Sequence, residues 1–316
     1  MAPSRHCPEE SVMPQSRRPN AVRRIAFALT ALLAAGAAQA ASERFQDLSV
    51  EVVGQGRPVL MIPGMNSGAD TWRDTCAALQ ADQVQCHLIQ FPGFAGAPAI
   101  KTEAYNDRMR DEVLAYIEQR KLRQPVVMGH SLGGFVALKM GMAKPQDIGK
   151  LIIVDTYGFL GSLYGPTQTA QTIVPMAQGA RSLVLNQPQA HYYRGIAVTA
   201  QGMTSDDAKV ALLRQWGEAS DRPTTALSLY EMMTTDLRPD MDKITVPTLV
   251  LGSWVAGARY GGTRESTLAM FRQQYAKLAG ARIELSQDGY HFLMWDDPKW
   301  LQDQVRGFLA ETPPAG

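Results

Sequence analysis

The amino-acid sequence predicts an α/β fold with a doubly wound, mostly parallel sheet, and three observations predict it. Short apolar segments bounded by glycine or proline recur along the chain: Pro58 to Ile62, Val84 to Gln90, Pro125 to Met128, Leu151 to Val154, Thr248 to Leu251 and Ile283 to Leu285. These segments do not alternate polar with apolar residues, as expected of strands covered on both faces. Helix-like segments lie between several of them, which suits parallel crossovers. We expect Ser49 to Val53 to begin a hairpin that leads into the sheet.

The regular alternation of predicted strands and helices is interrupted over residues 160–235. This stretch contains helix-like segments such as Ser205 to Trp216 and Thr224 to Met233, and it is rich in methionine and aromatic residues. Long loops without secondary structure are uncommon in compact domains. We therefore predict a helical cap inserted into the α/β core, which it divides into residues 41–159 and 236–316.

The first 40 residues have the three parts of a secretory signal peptide. A basic region ends at Arg24, an apolar run follows from Ile25 to Ala38, and Ala38-Gln39-Ala40 forms a small-residue cleavage site. The apolar run is shorter than the ~20 residues needed to span a bilayer, and no basic stop-transfer segment flanks it. We expect cleavage after Ala40 and a periplasmic or secreted product. A retained membrane anchor is the alternative.

Composition and charge limit the partners of the mature chain. The 316 residues are 45% hydrophobic, with 31 Lys and Arg against 30 Asp and Glu, as expected of a globular protein. Loss of residues 1–40 removes five arginines and two glutamates, so the formal net charge changes from +1 to −2. No basic surplus remains to bind nucleic acid. No second apolar segment approaches 20 residues, so we expect no stable membrane span after signal cleavage.

Two cysteines, Cys76 and Cys86, remain after signal removal, in what would be an oxidising compartment. Cys76 lies about five residues before the end of a predicted helix and Cys86 about two residues into the next strand. Both would therefore lie at a similar height along their elements, ~7 Å from the connecting turn. A disulfide and a pair of buried free thiols both stay open, because a sequence does not supply the Cβ directions that a disulfide requires.

The segment Gly129-His130-Ser131-Leu132-Gly133-Gly134 is the strongest chemical signal in the sequence. It follows the predicted strand Pro125 to Met128 and precedes the helix-like Phe135 to Met142. This strand–turn–helix context is the one that the G-x-S-x-G nucleophile motif requires. Glycines flank the serine because the turn is sharp, and Cβ atoms there would collide with neighbouring strands and the helix. Ser131 is the predicted nucleophile.

With these features the chain resembles the α/β-hydrolase family over residues 50 to 312. The segment Val59 to Met65 resembles the family's early strand and oxyanion loop, with Pro63 where a histidine is usual. Gln90 to Gly96 resembles the loop after the next strand, and Gly289-Tyr290-His291 resembles the late histidine segment. The resemblance implies a serine hydrolase.

A serine hydroxyl needs a general base, because it is a weak nucleophile at neutral pH. Four histidines remain after signal removal. His130 adjoins Ser131 but points from the opposite side of the turn, His87 lies in a strand, and His191 lies in the predicted cap. His291 follows the last predicted strand, on a loop from which it can reach the nucleophile. His291 is the predicted base.

The predicted oxyanion hole consists of two backbone N–H groups. One belongs to Leu132, the residue after the nucleophile. The other belongs to Met65, and this assignment depends on the alignment of Gly64 with the family's loop. Asn66 and Ser67 are further candidates to line that loop.

The carboxylate that should orient the histidine does not follow the commoner family pattern. Many relatives place an Asp a few residues after the strand that corresponds to Thr248 to Leu251, but here Gly252 to Arg259 contains no carboxylate. Asp155 ends the preceding strand, and some family members take their acid from that position. We therefore predict Asp155 as the acid.

Other acids stay open as alternatives. Asp236 is the main competitor, although an ion pair with Arg238 or a turn cap would also explain it. Glu265 and Asp288 are further candidates, and the site could lack an acid.

The motif and the resemblance together imply acyl transfer, in which Ser131 attacks a carbonyl and His291 carries the proton. This chemistry needs no metal and no organic cofactor, so we expect neither. We expect a small-molecule substrate, an ester of a small or medium apolar acid, because the predicted cap is rich in methionine and aromatic residues and carries no phosphate- or sugar-binding signature.

Other functions stay open at this point. Amide cleavage, lactone opening and C–C hydrolysis could use the same residues, since a fold does not define a substrate. Family members that remove halogens or open epoxides use an Asp nucleophile, which Ser131 disfavours. A protein that only binds a ligand is the third class, because the usual acid is missing.

Overall fold

The computed structural model describes residues 42–258 and 261–311 of the chain. The predicted signal peptide, residues 1–40, lies outside the described residues. Eight strands form one sheet in the order β1-β2-β4-β3-β5-β6-β7-β8. Their bounds are β1 Ser42–Phe45, β2 Leu48–Val53, β3 Arg57–Ile62, β4 Val84–Gln90, β5 Val126–His130, β6 Lys150–Val154, β7 Thr248–Gly252 and β8 Arg282–Leu285.

The pairing of the strands confirms the predicted fold class. Strand β2 pairs antiparallel with β1 and with β4, and every other neighbouring pair of strands is parallel. Each of the six apolar segments forms a strand within about one residue of its predicted start. The leading hairpin begins earlier than predicted. Ser49 to Val53 lies in its second strand, β2, and its first strand is Ser42–Phe45. The turn between them places Gln46 at a φ of 51°.

Residues along one strand alternate between two buried cores. In β3, Leu60 and Ile62 belong to the core that α2 and α3 cover, whereas Val59 and Met61 belong to the core on the other face, which α1 and α11 cover. Because both faces of the sheet are buried, the residues that point to either face are apolar. This explains the continuous apolar runs in the sequence.

Eleven α-helices are present in the described part of the chain. They are α1 Arg73–Leu79, α2 Tyr105–Gln119, α3 Leu132–Ala143, α4 Val174–Asn186, α5 Gln189–Gln201, α6 Asp207–Ala219, α7 Arg222–Thr234, α8 Val255–Ala258, α9 Arg264–Gln274, α10 Leu293–Asp296 and α11 Pro298–Ala310. Within residues 42–258 and 261–311, none of them has the length and apolar character needed to cross a membrane.

Residues 160–235, between β6 and β7, form what we call the helical insertion. It contains α4 to α7, in which α4 packs against α7 and α5 packs against α6. Helix α7 is joined to α2, because the carboxylate of Glu231 accepts hydrogen bonds from the backbone N–H groups of Tyr105 and Asn106 at 2.8 and 2.7 Å. These N–H groups open α2 and have no partner within that helix. Burial raises the pKa of Glu231.

Cys76 of α1 and Cys86 of β4 form a disulfide, with their Cα atoms 6.0 Å apart. Both residues are almost fully buried. The bond joins the helix that covers one face of the sheet to the strand beneath it.

Candidate active site

Ser131 lies in a sharp turn between β5 and α3. Its φ of 53° and ψ of −118° are outside the regions that a non-glycine residue normally occupies. Its backbone N–H donates to the carbonyl of Val154 at 2.9 Å, and its own carbonyl accepts from Phe135 N–H at 3.0 Å. These bonds, which join the turn to β6 and to the first turn of α3, hold a strained backbone conformation of the kind that clusters at active sites.

The glycines of the turn are required by close backbone packing. A Cβ atom on Gly129 would lie 2.2 Å from the carbonyl oxygen of Gly133, and a Cβ atom on Gly133 would lie 2.3 Å from the carbonyl oxygen of Ile62. A Cβ atom on Gly134 would lie 2.1 Å from Oγ1 of Thr156. Larger residues at these three positions would push the turn away from the neighbouring strands.

The structure brings Asp155 and His291 together, although they are 136 residues apart in sequence. Nδ1 of His291 lies 2.6 Å from Oδ2 of Asp155, and both side chains are largely buried. An ionised carboxylate only accepts hydrogen bonds, so the proton of the pair lies on Nδ1. The other ring nitrogen, Nε2, then carries a lone pair that can accept a proton.

The loop after β7 supports this pair without supplying a carboxylate. The backbone N–H of Ser253 donates to Oδ1 of Asp155 at 2.8 Å, and its hydroxyl donates to the carbonyl of Gly289 at 2.7 Å. The ring N–H of Trp254 donates to the carbonyl of Gln287 at 3.1 Å. The loop therefore contacts both the acid and the segment that carries His291.

The alternative acids lie elsewhere. Both carboxylate oxygens of Asp236 bind the guanidinium of Arg238, at 2.8 and 2.7 Å. This ion pair is the non-catalytic role that the sequence analysis considered for Asp236. Glu265 and Asp288 are exposed at the surface. Of the four predicted candidates, Asp155 is the one that contacts His291.

Ser131, Asp155 and His291 line one cavity of about 850 Å³, and Met65 lines it with them. Most of the other lining side chains are apolar: Phe135, Leu160, Leu163, Val198, Met203, Leu229, Met232, Trp254 and Met270. Among the described lining residues, Asp155 and His291 are the only ones that can be charged near neutral pH. Burial raises the pKa of Tyr157, which also lines the cavity, and the charge of Asp155 raises it further.

The predicted oxyanion groups lie beside Ser131. The residues Gly64-Met65-Asn66-Ser67 form a tight turn, in which Ser67 N–H donates to the carbonyl of Gly64 at 3.2 Å. A Cβ atom on Gly64 would lie 3.2 Å from Cβ of Ser131, so the turn packs directly against the predicted nucleophile. Leu132 is the first residue of α3, and its N–H therefore has no partner within the helix.

None of the three other histidines in the described part of the chain pairs with a carboxylate, as His291 does with Asp155. His130 is fully buried, and its Nε2 donates to the carbonyl of His291 at 3.0 Å. Burial lowers its pKa far below the usual value. His87 is buried in β4, where Nδ1 lies 2.8 Å from the Tyr116 hydroxyl, and burial lowers its pKa to about 4. His191 is exposed on α5. Over residues 42–258 and 261–311, none of these histidines belongs to a group of three or more acidic, histidine or cysteine side chains that could hold a metal ion.

Sequence reasoning placed His130 on the opposite side of the turn but did not foresee its contact with the base. The rings of His130 and His291 have their centroids 4.5 Å apart. The contact joins positions 161 residues apart, and the sequence carries no local signal for it.

The sequence pattern of the alpha/beta hydrolase family matches residues 59–304. The chain therefore belongs to this family. Its relatives include the pimeloyl-(acyl-carrier protein) methyl ester esterase of Aeromonas hydrophila, which is 25% identical over 209 residues, covering 64% of this chain and 78% of the relative. The hydrolase class is supported by the family and by the names of such relatives.

Solved structures share the fold. A hydrolase from Pseudomonas aeruginosa PA01 superposes with a TM-score of 0.70 at 19% identity, covering 87% of this chain and 99% of that one. The enol-lactonase from Burkholderia xenovorans LB400 superposes with a TM-score of 0.66 at 18% identity, covering 86% and 100%. At these identities the likeness establishes the fold alone.

Proposed function

We propose that this protein is an exported serine hydrolase that cleaves a carboxylic ester of a small or medium apolar acid. The observation that carries the proposal is the contact of 2.6 Å between Asp155 and His291, in the cavity that Ser131 also lines. A strained serine and a histidine that a carboxylate orients, both lining one cavity, are the groups that activate a hydroxyl in serine hydrolases. A relative that is named as a methyl ester esterase supports the ester class.

Each residue of the site has a distinct role in the proposed reaction. Nε2 of His291 takes the proton of the Ser131 hydroxyl as its oxygen attacks the ester carbonyl, and the N–H groups of Met65 and Leu132 stabilise the negative charge that develops on the carbonyl oxygen. His291 then gives the proton to the leaving alcohol, and an acyl-enzyme remains on Ser131. Water attacks the acyl-enzyme with His291 again as base, and the free acid is released. Asp155 holds His291 in one tautomer and stabilises its cation.

The cavity supports an uncharged substrate. Its volume of about 850 Å³ lies within the range of small-molecule sites, ~300–1,000 Å³. No lysine or arginine occurs among the described lining residues, so nothing there would compensate a carboxylate on the acyl group. Methionines such as Met203, Met232 and Met270 can adapt to acyl chains of different shape.

Covalent labelling tests the serine mechanism. The mature protein should react with a fluorophosphonate probe and hydrolyse nitrophenyl esters, with a preference for short to medium acyl chains over charged ones. Ser131→Ala should abolish labelling and nearly all turnover while its circular dichroism spectrum stays unchanged. A folded wild-type protein that neither reacts with the probe nor hydrolyses any ester of the series would instead support a ligand-binding role.

The export part of the proposal is supported by the tripartite segment that ends at Ala40 and by the disulfide between Cys76 and Cys86, since such bonds persist in oxidising compartments. Mass spectrometry of cell fractions should find a mature chain that begins at Ala41 in the periplasm or the medium. Full-length protein confined to the cytosol would contradict export.

A further inference from the structure

The turn that carries Met65 is in contact with the helical insertion. On α7, Oγ1 of Thr225 lies 2.6 Å from Oδ1 of Asn66, the residue after Met65. Thr225 is almost fully buried, and neither it nor Asn66 lines the cavity. The contact joins residues 159 positions apart in the chain.

The two side chains form a hydrogen bond in either assignment of their protons. Oγ1 of Thr225 also lies 2.9 Å from the carbonyl of Asp221, and the hydroxyl has one proton to donate. If this proton goes to Asn66, the asparagine oxygen accepts it. If it goes to Asp221, the Asn66 side-chain amide can be turned by 180°, which places its NH2 group where the oxygen was. The Thr225 hydroxyl then accepts a hydrogen bond from this NH2 group.

The bond acts on a residue that sets the shape of the turn. Asn66 is the third of the four residues in the turn Gly64 to Ser67, and its φ is 58°. Turns with a positive φ at the third position require glycine or asparagine there. A side chain held at Asn66 therefore limits rotation of the two peptide groups that flank this residue. Because Ser67 N–H donates to the carbonyl of Gly64, the same turn restrains the Gly64–Met65 peptide group, which presents Met65 N–H.

The insertion makes a second contact with the same loop. A Cβ atom on Gly68 would lie 3.1 Å from the indole ring of Trp216, which belongs to α6. The loop after β3 is thus held by α7 at Asn66 and by α6 at Gly68. Both contacts come from the insertion rather than from the sheet.

We propose that Asn66 and Thr225 are a pair of positioning residues, through which the helical insertion holds the N–H of Met65 in the orientation that binds the oxyanion. The inference rests on the proposed function, because it assigns the pair a part in the same reaction. Neither side chain touches the reacting atoms. Their effect is expected on the transition state, where the oxyanion forms, and not on binding of the neutral ester.

Thr225→Val tests the proposal, since it keeps the shape of the side chain and removes the hydroxyl. We expect kcat for a nitrophenyl ester to fall about five- to tenfold, the equivalent of one modest hydrogen bond, with KM changed less than twofold. Affinity for a boronic acid, which forms a tetrahedral adduct with Ser131, should fall by a similar factor. Thr225→Ser should restore kcat.

Thr234→Val is the matched control. Thr234 lies on the same helix, and its hydroxyl donates to the carbonyl of Tyr230 at 2.8 Å, as that of Thr225 can to Asp221. This control should keep the wild-type kcat and boronate affinity. If Thr225→Val and Thr234→Val have equal kcat, or if Thr225→Val changes only KM, the proposal is overturned.

Asn66→Gly gives an independent test that does not depend on the folding of the Thr225 variant. Glycine tolerates the positive φ and lacks the side chain. It should lower kcat by a similar factor, and the double variant should be no worse than either single one, because both remove the same bond. Additive losses would overturn the proposal. Wild-type protein without esterase activity would overturn the proposed function, whereas active wild-type protein with an unaffected Thr225→Val variant would overturn the positioning role alone.

Discussion

The ends of the neighbouring strands β6 and β7 differ in what they supply to the site. After β6 comes Asp155, whose carboxylate contacts His291. After β7 comes Ser253, which supplies a backbone N–H to Asp155 and a hydroxyl to the carbonyl of Gly289. The two ends are directly joined, because Asp155 N–H donates to the carbonyl of Leu251 at 2.7 Å.

The difference shows that the position of an acid along the sheet edge is not fixed by the position of the histidine. Parallel strands end at one edge, so a carboxylate on either strand can face the same crevice. The loop that lacks the usual acid here stabilises the acid on the neighbouring strand. Loss of a carboxylate after β7 therefore does not by itself indicate a non-catalytic protein.

The largest effect is expected for Asp155→Asn. The amide keeps the shape of the side chain but favours the wrong tautomer of His291, so kcat should fall by up to ~10⁴. Steady-state kinetics with a nitrophenyl ester measure it. Asp236→Asn is the control. It should lower the melting temperature and leave kcat close to the wild-type value, since Asp236 binds Arg238. A near-normal kcat for Asp155→Asn, together with loss of activity in Asp236→Asn, would assign the acid to Asp236.

Removal of the disulfide perturbs a region three strands away from β6. The double change Cys76→Ser with Cys86→Ser frees a short loop, because the cysteines are ten residues apart. The free energy of unfolding should fall by ~2 to 3 kcal/mol and the melting temperature by about 5 to 10 °C. Calorimetry measures both, and kcat at 25 °C should not change. A large loss of kcat in a folded variant would show that the two regions are coupled.

Ser253→Ala tests the contribution of the β7 end. It removes the hydroxyl bond to Gly289 and keeps the backbone N–H on Asp155, so kcat should fall about tenfold, far less than in Asp155→Asn. Ser228→Ala is the matched control, because Ser228 is also buried and its hydroxyl donates to Oδ1 of Asn106 at 2.8 Å. Both variants should lose stability in urea denaturation. Equal kcat in the two variants would show that the β7 end serves stability alone.

The smallest effect concerns pH and a histidine far from both strand ends. The pKa of buried His87 is lowered to about 4, so between pH 6.5 and 4 the unfolded chain binds a proton that the folded chain does not. The free energy of unfolding should therefore decrease as the pH falls through this window. Melting temperatures measured from pH 8 to pH 4 should decline less steeply in His87→Gln. An unchanged slope would exclude His87 as a contributor.

The sequence by itself determined the fold class, the six strands from β3 to β8 and the position of the nucleophile turn. These features are encoded locally: continuous apolar runs report burial on both faces, and the glycines around Ser131 report a turn in which a Cβ atom has no room. The start of the leading hairpin at Ser42 was missed, because Ser42-Glu43-Arg44-Phe45 has only one buried residue to mark it as a strand.

Only the tertiary structure decided which carboxylate meets His291. Asp155 directly follows β6, and Asp236 lies just after α7. The residues around each aspartate allow a catalytic interpretation. The choice depends on which chain segments lie side by side at the edge of the sheet, and this follows from strand order rather than from local sequence. The bond between Asn66 and Thr225 has the same origin. Contacts across more than a hundred residues are fixed by the packing of the whole core, so no local pattern in the sequence records them.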